Sequence, residues 1–560
     1  MASIVGKRIK GQTYYYLREV ARVGGRPKIV SQRYLGKAAD IAAAVDGAAT
    51  LPERTRHLGF GALAAAWQVL AELDVAGIVD RIVGTRRADA TLTVGAYLAL
   101  AAANRVVAPC SKLAFADWWQ TTAADRFIKV PTGALDHRRF WDAMDQITPA
   151  HAVQIERAVV ERMVRRYGLD LSGLVVDMTN FATFIDSANG RAPIAQRGKA
   201  KQKRVDLRLV GLGLVVTRDG GVPIASHPYP GDRPDVTQFA AVLDELVARF
   251  AGLGMAPQAL TVVYDAGCDS AANQHRLEAA GLHYVGSLRP SDHPELLAVP
   301  ARRFQEVDAE RFGGLTAFES RAVALGADRR VIVTHSPTFH QGQARGFAQT
   351  LAKARRQLAE LQARLARGHT RRPRQAVEAH IAKILQPRWL ERVIAWELEG
   401  DRPASLRLHW RTDPAARRRL ERELFGKRIL FTDHDWPVAE VVAAYRAQAD
   451  VEAGFRQLKD PKVVSFSPMF HWTDQKIRVH ALYCVLALIV AHLLRRQAAQ
   501  AGIAMSVREL LATLDSIQET VLVYPSTGGR PRARRMLTEL TPTAERLHAL
   551  FGLAAHAPPG

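Results

Sequence analysis

The sequence predicts a mixed α/β protein: a sheet flanked by helices, preceded by a small β element and a helical domain, and interrupted by a large inserted module. Three observations predict this. Apolar residues recur with a helical period up to about residue 167 and switch to short apolar runs from Leu171 onward. Those runs read strand–strand–strand–helix–strand, the order of a mixed sheet. From about 291 to 430 the texture changes again to charged helix and basic tract before a core-like pattern resumes.

Residues 5–36 alternate polar and apolar positions around two turn signals, Lys10-Gly11 and Gly24-Gly25. They predict a small antiparallel sheet carrying Tyr14, Tyr15, Tyr16 and Tyr34, assigned to residues 1–40. GALAAAWQVLAELDVAGIVDRIV, TVGAYLALAAANRVV and AVQIERAVVERMVRRYG place apolar residues at i, i+3, i+4 and i+7 and make 55–167 a helical domain, Trp118 and Trp119 serving its core. LSGLVVDMTNF then reads as an apolar strand ending in an acid. Two strands follow around Asp219-Gly220-Gly221, then a helix over 235–252. ALTVVYDAGCDS is a second strand ending in an acid, followed by a helix over 271–280 and the strand HYVGSLR. This first part of the core spans 171–290. The module 291–430 contains a long charged helix from Gly342 to Gly368, the basic tract Arg367 to Arg374, and Trp389, Trp396 and Trp410. The core returns over 431–498 with KRILFTDHDWP leading into it, a helix from Val438 and an apolar helix over 477–494. The tail, 499–560, adds a helical stretch, the loop TGGRPRARR and a Pro-rich end, suited to DNA or subunit contacts.

At 560 residues the chain has room for three or four domains of roughly 100–200 residues each. A hydrophobic share of 48% with 24% charged residues excludes a disordered or collagen-like chain. The 77 Lys+Arg against 55 Asp+Glu give +22, a charge that concentrates polyanions, nucleic acid first among them. Cys110, Cys268 and Cys484 lie far apart with no C-x-x-C pair, which argues against a disulfide framework or a thiolate zinc site and fits a reducing cytoplasm. The N-terminal stretch lacks the apolar segment of a signal peptide. The longest apolar run, Ala481 to Leu494, falls short of the ~20 residues of a membrane span and reads as a buried core helix.

The chemistry is expected at acids. Asp177 follows Leu-Val-Val and Asp265 follows Val-Val-Tyr, each at the end of a strand, where α/β folds place ligands. A charge at the end of a buried strand needs a partner. Two such carboxylates in a basic chain point to a divalent cation, for which carboxylates are hard oxygen ligands. A third acid should come from a helix packed on the sheet. AAYRAQADVEAGFRQLKDP offers Glu452, and on one continuous helix Tyr445, Gln448, Glu452, Phe455 and Lys459 share a face.

The spacing Tyr445-x2-Gln448-x3-Glu452-x6-Lys459 resembles the Y-x2-R-x3-E-x6-K signature of the bacterial DDE insertion-sequence transposases of the cut-and-paste branch. DMTNF at 177–181 resembles their first-Asp strand, RGKAKQKRVDL at 197–207 their basic segment, GDRPD at 231–235 their G-N-x-x-D turn, and DAGCDSAAN at 265–273 their second-Asp segment. PMFHWTDQKIRVHALYCVLALIVAHLL resembles the helix after the Glu, and KGQTYYYLREV, GGRPK and YLGK resemble the start of one subgroup. The likeness runs from about 5 to 495. It departs at Gln448, where the signature has Arg (Arg446 stands two positions away), and at Asp232, where the turn has Asn.

The resemblance implies an RNase H-like fold with Asp177 on its first strand, Asp265 on its fourth and Glu452 on a later helix, an arrangement the strand pattern gives independently. The stretch from Asp265 to Glu452 is far too long for a connection, and the family carries an insertion there. Catalytic and metal residues are then Asp177, Asp265 and Glu452, holding two Mg2+ ions, for which Mn2+ substitutes. Tyr445, Gln448 and Lys459 would contact DNA near the cleaved end. Arg197, Lys199, Lys201, Lys203 and Arg204 would contact phosphate, with Arg371, Arg372 and Arg374, and Arg530, Arg532, Arg534 and Arg535, as weaker candidates. Tryptophans of the inserted module could serve its core or, as in parts of the family, stack on a flipped base. Cys268 reads as a small buried residue. The implied activity is binding of terminal inverted repeats, cleavage at the element ends and joining of the 3′-OH ends to target DNA. The implied partners are double-stranded DNA and a second copy of the chain, with no membrane, in the bacterial cytoplasm at the nucleoid. The rival readings are another RNase H-like endonuclease and a transposase-derived DNA-binding protein without catalysis.

Overall fold

The computed structural model describes residues 2–23, 26–48, 51–84, 91–131, 133–198, 206–369, 371–525 and 532–559. They fall into two compact units, one built from Met1–Ala65, Asp117–Lys129 and Leu511–Gly560, the other from Ala66–Ala116 and Val130–Leu510.

In the first unit β1 (Ala2–Ile9), β2 (Gln12–Val23) and β3 (Arg26–Gly36) form an antiparallel meander. Its first turn is Lys10-Gly11, both at positive φ (47° and 82°), the backbone that a two-residue hairpin needs. Tyr16 pairs with Tyr34 across β2 and β3, and the two rings lie 5.3 Å apart. The second expected turn, Gly24-Gly25, lies outside the described residues. A separate strand, β4 (Arg54–Gly59), lies where the helical domain was expected to begin. It pairs with a strand some 460 residues later, and no local periodicity can show such a partner.

The second unit is organised on a nine-stranded mixed sheet. In chain order its strands are β5 (Gly173–Thr183), β6 (Arg208–Thr217), β7 (Pro223–Pro230), β8 (Thr261–Tyr264), β9 (His283–Leu288), β10 (Gln305–Glu306), β11 (Thr316–Ala324), β12 (Ala327–His335) and, after an excursion, β15 (Lys427–Thr432). The excursion holds the hairpin β13 (Ile394–Glu399) and β14 (Arg407–Thr412). Spatial order is β10-β11-β12-β15-β9-β8-β5-β6-β7, with β5, β8 and β9 parallel and the other pairings antiparallel. All ten residues of β6 are buried, which is why RLVGLGLVVT reads as a continuous apolar run. Gly211 in that strand lies under the Tyr229 ring; a Cβ there would come within 2.2 Å of it.

Helix Asp235–Gly252 covers one part of the sheet with Phe239, Val242, Leu243, Leu246 and Phe250, the i, i+3, i+4, i+7 stripe of an amphipathic helix. Helix Asp474–Gln500 is long and apolar enough to cross a membrane, yet 94% of its most apolar stretch is buried inside the protein, where it packs on helices Val94–Val107 and Pro149–Tyr167. It is a core helix, as expected, and longer than the 477–494 read from its apolar run.

The inserted module is smaller than 291–430. Residues 305–335 extend the sheet by three strands and β15 closes it against β9, so only the chain between β12 and β15 stands apart. There helix Pro337–Ala366 presents Phe347, Leu351, Ala354, Leu358, Leu361 and Leu365, a stripe alternating three and four residues. The stripe packs on Val377, Ile381 and Ile384 of helix Arg374–Leu385, on Leu398 and Leu408 of the hairpin, and on Phe425. This is a closed small core, helical with one hairpin.

The tail is also more ordered than expected. Helix Val507–Asp515 leads into β16 (Gln518–Tyr524) and β17 (Arg532–Leu537), and β16 pairs with both β17 and β4 to complete a three-stranded sheet in the first unit. Glu519 is fully buried there between Arg535 at 2.5 Å and Arg126 at 3.2 Å, so Arg535 serves an internal ion pair. Arg530 lies outside the described residues.

Candidate active site

Asp177 is not at the end of its strand: β5 runs on to Thr183, with Asp177 paired opposite Leu214 of β6. The polar residues Asp177, Thr179 and the half-exposed Asn180 do not break the strand because β6 pairs along its whole length. Asp177 is half-buried, and its Oδ1 accepts a hydrogen bond from the Met178 amide at 2.7 Å. Alternation places Thr179 and Phe181 on the same face. Lys459 Nζ donates to Thr179 Oγ1 at 2.5 Å, and the Phe181 ring stacks on Phe466 at 4.3 Å. Helix Gln448–Lys459 therefore packs on the face of β5 that carries Asp177.

Asp265 directly follows β8, the parallel neighbour of β5. Its Oδ1 accepts from the Gly267 amide at 2.9 Å in a tight turn, and the next amide, Ala266, donates to Ser287 Oγ at 3.1 Å. Buried Cys268 lies in the field of Asp265, Asp177, Asp235 and Asp269. Burial, reinforced by these carboxylates, pushes its thiol far above the ordinary value, so it stays protonated and is no nucleophile. Asp269 was missed in the sequence although it stands in DAGCDS. It is half-buried, its Oδ1 meets no hydrogen-bond partner, and burial raises its pKa to about 7, opposed by Arg289 and helped by Asp265 and Asp292. A second acid four residues beyond Asp265 in the same segment was the available signal.

Glu452 sits on helix Gln448–Lys459 with 60% of its side chain exposed and Arg456 3.6 Å away. The carboxylates of Asp177, Asp265 and Glu452 do not all lie within 4.8 Å of one another. The expected single face of Tyr445, Gln448, Glu452, Phe455 and Lys459 is interrupted: one helix ends at Arg446, Ala447 turns, and the next begins at Gln448. Tyr445 is buried and donates to Ser287 Oγ at 3.0 Å, with the Arg428 guanidinium 5.0 Å from its ring. Gln448 is buried as well, and its Nε2 finds no acceptor. Gln448, expected on the Glu452 face, is 8% exposed, and its amide lies in the interior. Arg446 turns away onto Phe312. Arg197 is exposed and donates to Ser187 Oγ at 2.9 Å. Lys199, Lys201, Lys203 and Arg204 lie outside the described residues.

Beside Asp265 opens a cavity of about 710 Å³. Ser287 and Tyr445 form one wall, and Arg388, Trp389, Lys427 and Arg428 another. Trp389 adopts a left-handed backbone (φ 72°), which a bulky residue rarely does. Its ring rests on Phe425 at 5.2 Å with Arg388 above it at 4.6 Å. Of the three tryptophans singled out in the module, Trp389 alone lines this cavity; Trp410 donates to Gln362 and Trp396 lies on the exposed hairpin. The cavity joins Asp265 to a wall that carries the Trp389 ring and the side chains of Arg388, Arg392, Glu423, Lys427 and Arg428.

A family model described as the transposase DDE domain matches residues 168–465, more than half of the chain. Among solved structures, the chain is similar to the piggyBac transposase in its synaptic complex with hairpin DNA. The two share 10% identity, the match covers 83% of this chain and 82% of that one, and the TM-score is 0.37. No curated protein matches significantly.

Proposed function

The chain belongs to the transposase DDE domain family, and from that premise we propose that it cleaves DNA at the ends of its own insertion element and joins the freed 3′-OH ends to target DNA. The observation that carries the reading is the placement of two aspartates: Asp177 within the first strand of the large sheet, Asp265 directly after the fourth, on parallel neighbours, with the Glu452 helix packed on the Asp177 face. That arrangement supports an RNase H-like core. Asp177, Asp265 and Glu452 would be its catalytic acids.

The donor set suits a divalent ion by its chemistry, since all three side chains offer hard oxygens. Asp177 and Asp265 each have one oxygen committed to a backbone amide, and Glu452 is exposed. These residues would hold Mg2+, replaceable by Mn2+, as two ions. Such ions, when bound, make an attacking oxygen nucleophilic and stabilise the leaving oxygen in phosphoryl transfer. The chain's own part is to place DNA. Lys459, Arg197 and the basic tract with Lys199, Lys201, Lys203 and Arg204 would neutralise phosphates. Tyr445 would shape the cavity wall from its Ser287 hydrogen bond, and Trp389 would receive an unstacked base beside Asp265. The helical domain would bind terminal repeats, and two copies would pair the two ends, in a bacterial cytoplasm.

The test is cleavage of element-end DNA in Mg2+. Asp177→Asn, Asp265→Asn and Glu452→Gln should each abolish cleavage while leaving repeat binding intact, because the amides keep shape but lose charge. Full cleavage by Glu452→Gln would remove it as the third acid. Repeat binding without cleavage by the unmutated chain would favour a DNA-binding derivative.

A further inference from the structure

We infer that the second unit carries a transition-metal site, separate from the aspartates, formed by His283, Asp433 and His434 and suited to Zn2+. One donor atom from each of the three side chains lies within 4.8 Å of the others. His283 opens β9, and Asp433 and His434 directly follow β15. Because Thr432 pairs antiparallel with Val285, the start of β9 and the end of β15 meet at one edge of the sheet. Asp265 belongs to the opposite edge: His283 is level with Thr261, the first residue of β8, whereas Asp265 follows its last. At ~3.3 Å per residue the length of that strand separates the two places by roughly 13 Å.

The three side chains are held before any ion arrives. The Tyr284 amide donates to Asp433 Oδ1 at 3.0 Å, leaving Oδ2 turned to His283 Nδ1 at 2.8 Å. The His434 ring stacks on Trp436 at 3.6 Å and on His283 at 4.6 Å. Arg330, itself paired with Glu319, donates to the carbonyls of His434 at 2.6 Å and Trp436 at 2.7 Å, so the loop carrying two of the donors is clamped from behind. Such outer contacts orient ligands and are part of what makes a metal site. The hydroxyl of Thr261 adds an oxygen 2.9 Å from His434 Nε2.

Two imidazoles and one carboxylate form a borderline donor set, which Zn2+ accepts in tetrahedral geometry with water completing the shell. Mg2+ prefers oxygen donors alone, so this site and the aspartates select different ions. His283 and Asp433 lie 150 residues apart in sequence, on the two segments between which the chain adds β10–β12 to the sheet, leaves it for the small helical core and then returns. A bound ion would tie departure to return and stabilise that closure.

The experiment titrates tag-free, full-length protein with Co2+ in excess Mg2+, which occupies the hard oxygen sites, and reads the visible absorption of the bound cobalt. One equivalent should bind with a tetrahedral band, Zn2+ should displace it, and Zn2+ should raise the melting temperature. His283→Ala and His434→Ala should each weaken binding at least about tenfold and remove the melting shift. Asp433→Asn, which still accepts from the Tyr284 amide, gives the same reading should a histidine variant fail to fold. Absence of the band, or unchanged affinity in His283→Ala and Asp433→Asn, overturns the site.

Discussion

Replacing Lys112 by Met should stabilise this protein at neutral pH. Lys112 is 6% exposed, and its Nζ meets no hydrogen-bond acceptor. Its surroundings are the Tyr483 ring at 4.3 Å and the Phe140 ring at 5.2 Å, with the buried Arg105 adding like charge. Burial first, and Arg105 second, push its pKa from 10.5 down to about 7. At about 1.4 kcal/mol per pH unit, holding the ammonium charged in that place costs about 5 kcal/mol relative to the unfolded chain. The two rings return about 1–2 kcal/mol each through cation–π attraction in a desolvated setting. The remainder, about 1–3 kcal/mol, is the expected gain for Lys112→Met, which keeps the unbranched stem and removes the charge. The direction with pH follows from the lowered pKa: the deficit is complete below about 7 and disappears as pH rises toward 10.5, where the unfolded lysine also loses its proton. Urea unfolding at pH 6.5 and 9.5 measures it. The Met variant should gain most at the lower pH and no more than about 1.4 kcal/mol at the higher, which lies one pH unit below 10.5. A Met variant that unfolds earlier at both pH values, or whose advantage does not shrink with rising pH, refutes the account.

Gln448→Met should be neutral or stabilising by about 1 kcal/mol, because the Nε2 it removes is buried without an acceptor, and Gln448→Arg should destabilise by burying a charge; thermal melting of both decides. For binding of terminal-repeat DNA, log K should fall linearly with log salt at about −0.9 per phosphate neutralised, and changing Lys199, Lys201 and Lys203 to Ala should flatten the slope. An unchanged slope would return that tract to ordinary surface. With 2-aminopurine at the cleaved end, wild-type protein should raise the fluorescence of the unstacked base and Trp389→Ala should raise it less, while Trp396→Ala on the exposed hairpin behaves as wild type; equal signals from all three would exclude Trp389 as the stacking partner.

What was legible in the sequence was whatever depends on neighbours along the chain. The period-two alternation around Lys10-Gly11 predicts a hairpin because a two-residue turn and its flanking strands are local. The apolar runs before Asp177 and Asp265 predict buried strands, and the stripes in Asp235–Gly252 and Asp474–Gln500 predict buried helices, because each periodicity is imposed by one face meeting a core. The motif spacings carried the family, since residue type at fixed offsets survives without knowledge of the fold.

What only the tertiary structure decided was every relation between distant segments. Strand β4 pairs with β16, and β10–β12 with β15 join the sheet instead of the inserted module, because backbone pairing is satisfied by whichever edge is near in space. The break at Ala447 divides the expected helix in two, and Tyr445 and Gln448 both lie in the interior while Glu452 is exposed, which a helical wheel does not show. Asp265, Ser287 and the left-handed Trp389 meet at one cavity although they are far apart in the sequence. His283 reaches Asp433 and His434 only through the register of β9 on β15. Side-chain chemistry is written residue by residue, but which side chains share a few ångströms of space is set by burial and pairing across the whole sheet.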